Sequence, residues 1–179
     1  MLKEKIIELY GEGALNKSAI GLREGDEILT YFITQKPVSV ALEIGTYKGM
    51  SAALMAQHCN KLYTIDLKHG RLERHAEVFK RQELWDSLGL TNIELILVKD
   101  NVEKAGIIKE LEFDFAFVDG AHDETVADDF DMVHKCGNVL FHDYSYREGK
   151  TNHVYDFVNT LPNYELEVQD IFAMWRRNV

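Results

Sequence analysis

Polar residues able to bind or transform a ligand recur at one kind of place in this sequence, the carboxyl end of each short apolar run. Glu43 and Gly45 close the run Val38 to Ile44, Asp66 follows Leu62 to Ile65, Asp100 and Asn101 follow Ile93 to Val98, Asp119 follows Phe113 to Val118, and His142 and Asp143 follow Val139 to Phe141. Capping of the next helix explains any one such aspartate. Five successive segments with this ending point to a shared site. The first, Glu43-Ile44-Gly45-Thr46-Tyr47-Lys48-Gly49-Met50-Ser51, is a nucleotide-type loop. Gly45 permits a sharp turn, and Gly49 permits a close approach of the backbone to a ligand and to the next helix. It lacks the close glycine pair of G-x-G-x-x-G, which accommodates a pyrophosphate. Asp66, at the end of the second run, is placed to accept hydrogen bonds from both hydroxyls of a ribose. Gly45 and Asp66 together indicate an adenosine ligand without a pyrophosphate.

Positioning these groups requires a particular set of elements. The apolar runs alternate with amphipathic stretches near Ser51 to His58, Leu72 to Leu88, Val102 to Leu111 and Thr125 to His134, which predicts βαβ units. The expected fold class is α/β: a Rossmann-like, doubly wound, seven-stranded sheet, mostly parallel, with helices on both faces. The C-terminal strand ends of such a sheet share one edge, and ligands bind in the crevice outside it. Tyr164 to Gln169 is followed at once by Ile171 to Arg176, leaving room only for a tight turn at Asp170, so a C-terminal antiparallel hairpin is expected on the sheet edge. The segment to about Gln35 reads as helical, with Ile28, Leu29, Phe32 and Ile33 on one stripe after Arg23-Glu24-Gly25-Asp26. With Pro37 and Pro162 the only prolines and no linker or repeat, residues 1–179 are expected to form one domain, with 1–36 as its N-terminal helical cap.

Composition narrows the classes of partner. Hydrophobic residues make up 46% and charged residues 28%, and no apolar stretch approaches the ~20 residues that a membrane span needs. The start, Met1-Leu2-Lys3-Glu4-Lys5, lacks the apolar core of a secretory signal, and the expectation is a soluble, cytoplasmic protein with no membrane partner. Thirty acidic against twenty basic residues give a net charge of −10, which argues against nucleic acid as a partner. Cys59 and Cys136 read as reduced packing residues.

Three segments resemble one family. Leu42-Glu43-Ile44-Gly45-Thr46-Tyr47-Lys48-Gly49-Met50-Ser51-Ala52 is similar to the cofactor loop of class I S-adenosylmethionine-dependent methyltransferases, closest to the catechol-O-methyltransferase-like and macrocin-type O-methyltransferases. Asp114-Phe115-Ala116-Phe117-Val118-Asp119-Gly120-Ala121-His122 resembles their fourth-strand motif, and Gly137-Asn138-Val139-Leu140-Phe141-His142-Asp143-Tyr144 their fifth. The resemblance implies S-adenosylmethionine as cofactor. Glu43, Gly45 and Gly49, with Thr46 and Ser51 of the same loop, would surround its amino-acid part. Asp66 would hold the ribose, Asp100 and Asn101 would lie beside the adenine, and Asp119 would face the sulfonium methyl. It also implies that Asp119, His142 and Asp143 hold a divalent cation, magnesium or manganese, although a histidine at 142 departs from the usual Asp-Asn or Asp-Asp pair and weakens the case for magnesium. His122 stands where catechol-type enzymes carry the residue that deprotonates the acceptor, so His122 and Asp119 are the expected catalytic residues. An acid near the Asp129 position is frequent in the family and implies support for the site from beneath. The implied reaction is O-methylation of a small hydroxylated acceptor, with a homodimer as one way to close the site.

Two rival readings come from other classes. Tyr146 and Lys150 have the tyrosine-x-x-x-lysine spacing of a nicotinamide-dependent short-chain reductase, but Gly149 between them disfavours the continuous helix that this spacing needs. A non-catalytic adenosine-binding module would need only the first loop and Asp66, leaving His122, His142 and Asp143 without a task.

Overall fold

A computed structural model describes residues 1–21, 24–68, 80–120, 123–162 and 164–178. The apolar runs become strands β1 (Val38–Ile44), β2 (Cys59–Leu67), β3 (Ile93–Val98), β4 (Phe115–Val118) and β5 (Asn138–Phe141), and the C-terminal stretch becomes β6 (Tyr164–Gln169) and β7 (Phe172–Arg177). They form one seven-stranded sheet in the order β3-β2-β1-β4-β5-β7-β6. β1 to β5 are parallel, and β7 runs antiparallel to both β5 and β6. This is the expected sheet with its terminal hairpin turning at Asp170. The later strand of the hairpin is the one that docks on β5, because Phe172, Ala173, Met174 and Trp175 are buried on both faces, whereas β6 exposes Glu165 and Val168 and suits the edge.

Among the described residues seven α-helices cover the sheet: α1 (Leu2–Tyr10), α2 (Gly25–Thr34), α3 (Met50–Met55), α4 (Lys80–Ser87), α5 (Asn101–Glu110), α6 (Val126–Val133) and α7 (His153–Val158). One face carries α1 to α4, which pack Ile6, Leu29, Phe32, Met55, Leu84 and Trp85 against Ala41, Leu62, Phe115, Phe117, Leu140 and Phe172. The other carries α5 to α7, which pack Ile108, Phe130, Val133 and Val158 against Leu42, Ile44, Ala116, Phe141 and Trp175. Ala41, Phe115 and Phe117 face one core and Leu42, Ala116 and Val118 the other, the strict alternation of a strand buried on both sides. The helical N-terminal segment is two helices joined by a short 3-10 turn (Glu12–Lys17). The expected helix Leu72 to Leu88 is seen from Lys80; its earlier part lies outside the described residues. The sequence reading does not anticipate α7, whose six residues are too few to display a 3.6-residue period.

The register fixes the site. Ile65 pairs with Ile44, Ile44 with Val118, and Val118 with Phe141. The next residue of each strand is therefore Asp66, Gly45, Asp119 and His142, side by side on the C-terminal edge. Backbone bonds extend the ladder to this row: Gly45 N–H to Ile65 O at 2.9 Å, Asp119 N–H to Ile44 O at 2.9 Å and His142 N–H to Val118 O at 3.1 Å. The crossovers change face between β1 and β4, so the row straddles the topological switch point.

Candidate active site

The loop after β1 is held from below and from the side. Glu43, 0% exposed, accepts hydrogen bonds from Ser51 Oγ at 2.5 Å and from Thr64 Oγ1 at 2.5 Å, and Thr64 shares a 2.6 Å contact with Thr46 Oγ1. Burial pushes the Glu43 carboxyl up to about 8, against the two hydroxyl hydrogen bonds, which lower it. Glu43, Thr46 and Ser51 were expected at the cofactor surface; all three are buried, and they support the loop from beneath. Thr64 completes the network and has no sequence signature beyond being a hydroxyl within an apolar strand beside one that buries a carboxylate.

Three successive carbonyls of the loop are taken by side chains from elsewhere. Arg81 donates to Tyr47 O at 3.4 Å, Tyr10 to Lys48 O at 3.0 Å, and Trp85 Nε1 to Gly49 O at 2.8 Å. The Lys48 ammonium lies 5.5 Å from the ring centroids of both Tyr10 and Tyr47. A Cβ at Gly49 (φ +69°) would stand 2.6 Å from the Trp85 ring, so this glycine makes room for the protein's own indole. A Cβ at Gly45 (φ +100°) would stand 2.1 Å from the Asp119 carbonyl oxygen. Both glycines allow a close approach of other protein atoms.

On the β2 side, Asp66 Oδ2 accepts from Tyr47 N–H at 2.8 Å and Oδ1 from Leu67 N–H at 2.9 Å, and the residue is only half-buried. Asp100 caps α5, accepting from Glu103 N–H at 2.8 Å, so the capping explanation holds for this aspartate. Asn101 behaves differently: its side-chain oxygen is buried with no hydrogen-bond partner among the described residues.

On the β4 and β5 side, His142 Nδ1 lies 2.8 Å from Asp119 Oδ1 and 3.5 Å from Asp143 Oδ1. Burial opposes charge on the ring, but the charge and hydrogen bond of Asp119, then the charge of Asp143, outweigh it and hold the imidazole above its ordinary pKa. Asp143 sits at φ +58°, a left-handed conformation that residues with side chains rarely adopt and that concentrates at functional sites. Asp119, His142 and Asp143 were expected to hold a cation. Here the imidazole nitrogen itself lies against both carboxylates, and among the described residues no three His, Cys, Asp or Glu side chains are disposed to hold a metal ion. The trio forms an ion-pair cluster that does not fit the expected cation site. Beneath it Asp129, 2% exposed, meets Lys104 Nζ at 2.5 Å, and a Cβ at Gly120 would stand 3.1 Å from Asp129 Oδ2. The buried ion pair thus underlies the Asp119–Gly120 turn. His122 lies outside the described residues.

Beyond Asp143 a cavity of about 120 Å³ opens, lined by Asp143, Ser145, Arg147, Lys150, His153 and their neighbours. Tyr146 and Lys150 lie in an irregular loop, so the spacing needed by a reductase is not realised on a helix. No helix among the described residues is long and apolar enough to cross a membrane.

A family model described as a methyltransferase domain matches residues 42–144, more than half of the chain. A protein-L-isoaspartate O-methyltransferase of Ruegeria sp. is 35% identical over 75 residues, 41% of this chain and 32% of that protein. One from Paracoccus denitrificans is 33% identical over 114 residues, 64% of this chain and 46% of that protein. The chain spans less than half the length of these curated relatives. Among solved structures, an O-methyltransferase from Bacillus cereus in complex with S-adenosylhomocysteine superposes with TM-score 0.69 at 16% identity, covering 99% of this chain and 90% of that one. The S-adenosylmethionine-bound O-methyltransferase TomG from Streptomyces achromogenes gives TM-score 0.65 at 16% identity, covering 99% and 96%. These likenesses establish a shared fold. The strand-end row, the loop after β1 and the family match all fall within the same 42–144 span, and the chain belongs to the methyltransferase-domain family.

Proposed function

We propose that this chain is an S-adenosylmethionine-dependent methyltransferase that acts on an oxygen of a small hydroxylated acceptor. The observation that carries this reading is the single row Asp66, Gly45, Asp119, His142 at the switch point. The residues on the β2 side fit an adenosyl ligand. Asp66 is a carboxylate at the end of β2, the kind of group that holds ribose hydroxyls, and the Asn101 oxygen, without a partner among the described residues, suits a donor such as the adenine amine. When bound, the sulfonium supplies an electrophilic methyl carbon. The acceptor oxygen forms a bond to that carbon as the carbon–sulfur bond breaks, the bonding pair returning to sulfur and the hydroxyl proton passing to a base. His122, three residues past Asp119, is the base in this reading. Asp119, fixed by His142 and by the Gly45 backbone, orients the acceptor oxygen.

The test is calorimetric titration with S-adenosylhomocysteine and with nicotinamide nucleotides, followed by transfer of labelled methyl to a panel of hydroxylated acceptors. Binding of the first ligand alone, with transfer that survives EDTA, is expected. Asp119→Ala should keep that binding and lose at least 100-fold in turnover. Binding of nicotinamide nucleotides in its place would sink the proposal. The partial likeness to protein-L-isoaspartate O-methyltransferases favours a second reading, in which the acceptor oxygen belongs to a carboxylate. A base-labile methyl ester as product, in place of a stable ether, selects it.

A further inference from the structure

The cavity beyond β5 differs in charge from the rest of the molecule. The chain carries thirty acidic and twenty basic residues, yet Arg147, Lys150 and His153 line this pocket and Asp143 is the one carboxylate among its described lining residues. Ser145 and Thr151 add hydroxyl donors. Neither the Arg147 guanidinium nor the Lys150 ammonium forms an ion pair with a described residue, although acids outnumber bases over the whole chain. The loop that carries them is tied at its base: Asn152 accepts from Arg147 N–H at 2.8 Å and donates to Arg147 O at 3.1 Å and to Lys150 O at 2.9 Å. Asp143 belongs both to this pocket and to the cluster with His142 and Asp119, so a ligand seated here lies within a few ångströms of the strand-end row.

We propose that this pocket binds an anionic group, a carboxylate or a phosphate monoester, carried by the acceptor and set beside its nucleophilic oxygen. The proposal rests on the methyltransferase reading and narrows its substrate class to small hydroxylated anions. Arg147 and Lys150 are specificity-determining residues in it. A guanidinium and an ammonium recognise a compact anion through charge-assisted hydrogen bonds. The 120 Å³ volume accommodates such a group with a few attached carbons.

The experiment uses the full chain saturated with S-adenosylhomocysteine and titrated with phenol, benzoate and phenyl phosphate. At least one anionic probe should bind tenfold or more tightly than phenol. In R147A/K150A that preference should fall to within twofold, with the affinity for S-adenosylhomocysteine kept as the check on folding. Benzoate alone binding tightly identifies the carboxylate as the group, and phenyl phosphate alone the phosphate. Equal binding of all three probes, or a preference unchanged in R147A/K150A, overturns the proposal. Failure of S-adenosylhomocysteine itself to bind overturns the parent reading, and that result is separate from the probe ratios.

Discussion

On the β2 side of the switch point, the loop after β1 has the carbonyls of Tyr47, Lys48 and Gly49 each held by a side chain from α1 or α4, and Glu43 beneath it is bonded to two hydroxyls. On the β5 side, the stretch from Ser145 to Lys150 has its backbone tied at Arg147 and Lys150 by Asn152 and leaves Tyr146 65% exposed. A ligand that never changes rewards preorganisation, because ordering the loop in advance removes an entropic cost from every binding event. A ligand that differs from one relative to the next is met by an exposed loop on a rigid scaffold. The contrast between the two banks is what one invariant cofactor and one chain-specific acceptor would require.

Paired substitutions test that contrast. Trp85→Ala removes an indole that is 1% exposed and wedged against Gly49, and should lower unfolding free energy by about 3–5 kcal/mol in a urea titration. Tyr146→Ala removes an aromatic ring on the opposite bank and should change it by no more than about 0.5 kcal/mol. Equal losses would mean that the two banks are equally built in. Next in size, Asp66→Ala should weaken S-adenosylhomocysteine binding by about 1.5–3 kcal/mol for each ribose hydrogen bond removed, roughly ten- to a hundredfold. Normal affinity would move the ribose away from β2. The last test concerns pH. The Glu43 carboxyl is raised from 4.5 to about 8 in the folded chain, which therefore keeps a proton that the unfolded chain releases. Glu43 thus makes unfolding free energy fall as pH rises from about 4.5 to about 8, and Glu43→Gln should flatten this decline in unfolding curves recorded at successive pH values. An unchanged slope would mean that Glu43 is ionised in its pocket.

Much of this was legible in the sequence because it is local. The strands, the switch point and the row of strand-end residues follow from apolar runs that end in polar groups, a pattern carried by adjacent positions. The supports of the site were not. Tyr10, Thr64 and Trp85 reach the loop across many intervening residues, and nothing in their types marks them out from packing residues. The residue type of Glu43 shows a carboxylate and does not show whether water can reach it. The arrangement of the strand-end trio is hidden for a similar reason. Type and order placed Asp119, His142 and Asp143 together, while only coordinates show the imidazole already lying against both carboxylates.

Gly45 has a mechanical consequence. Its α-carbon abuts the Asp119 carbonyl so closely that a single methyl group would pry β1 from β4. The seam between the two central strands is thus zipped at its ligand end by backbone alone, with no lever arm of side chains to absorb movement. Any displacement of the Asp119 backbone would therefore be felt at once by the Gly45 turn.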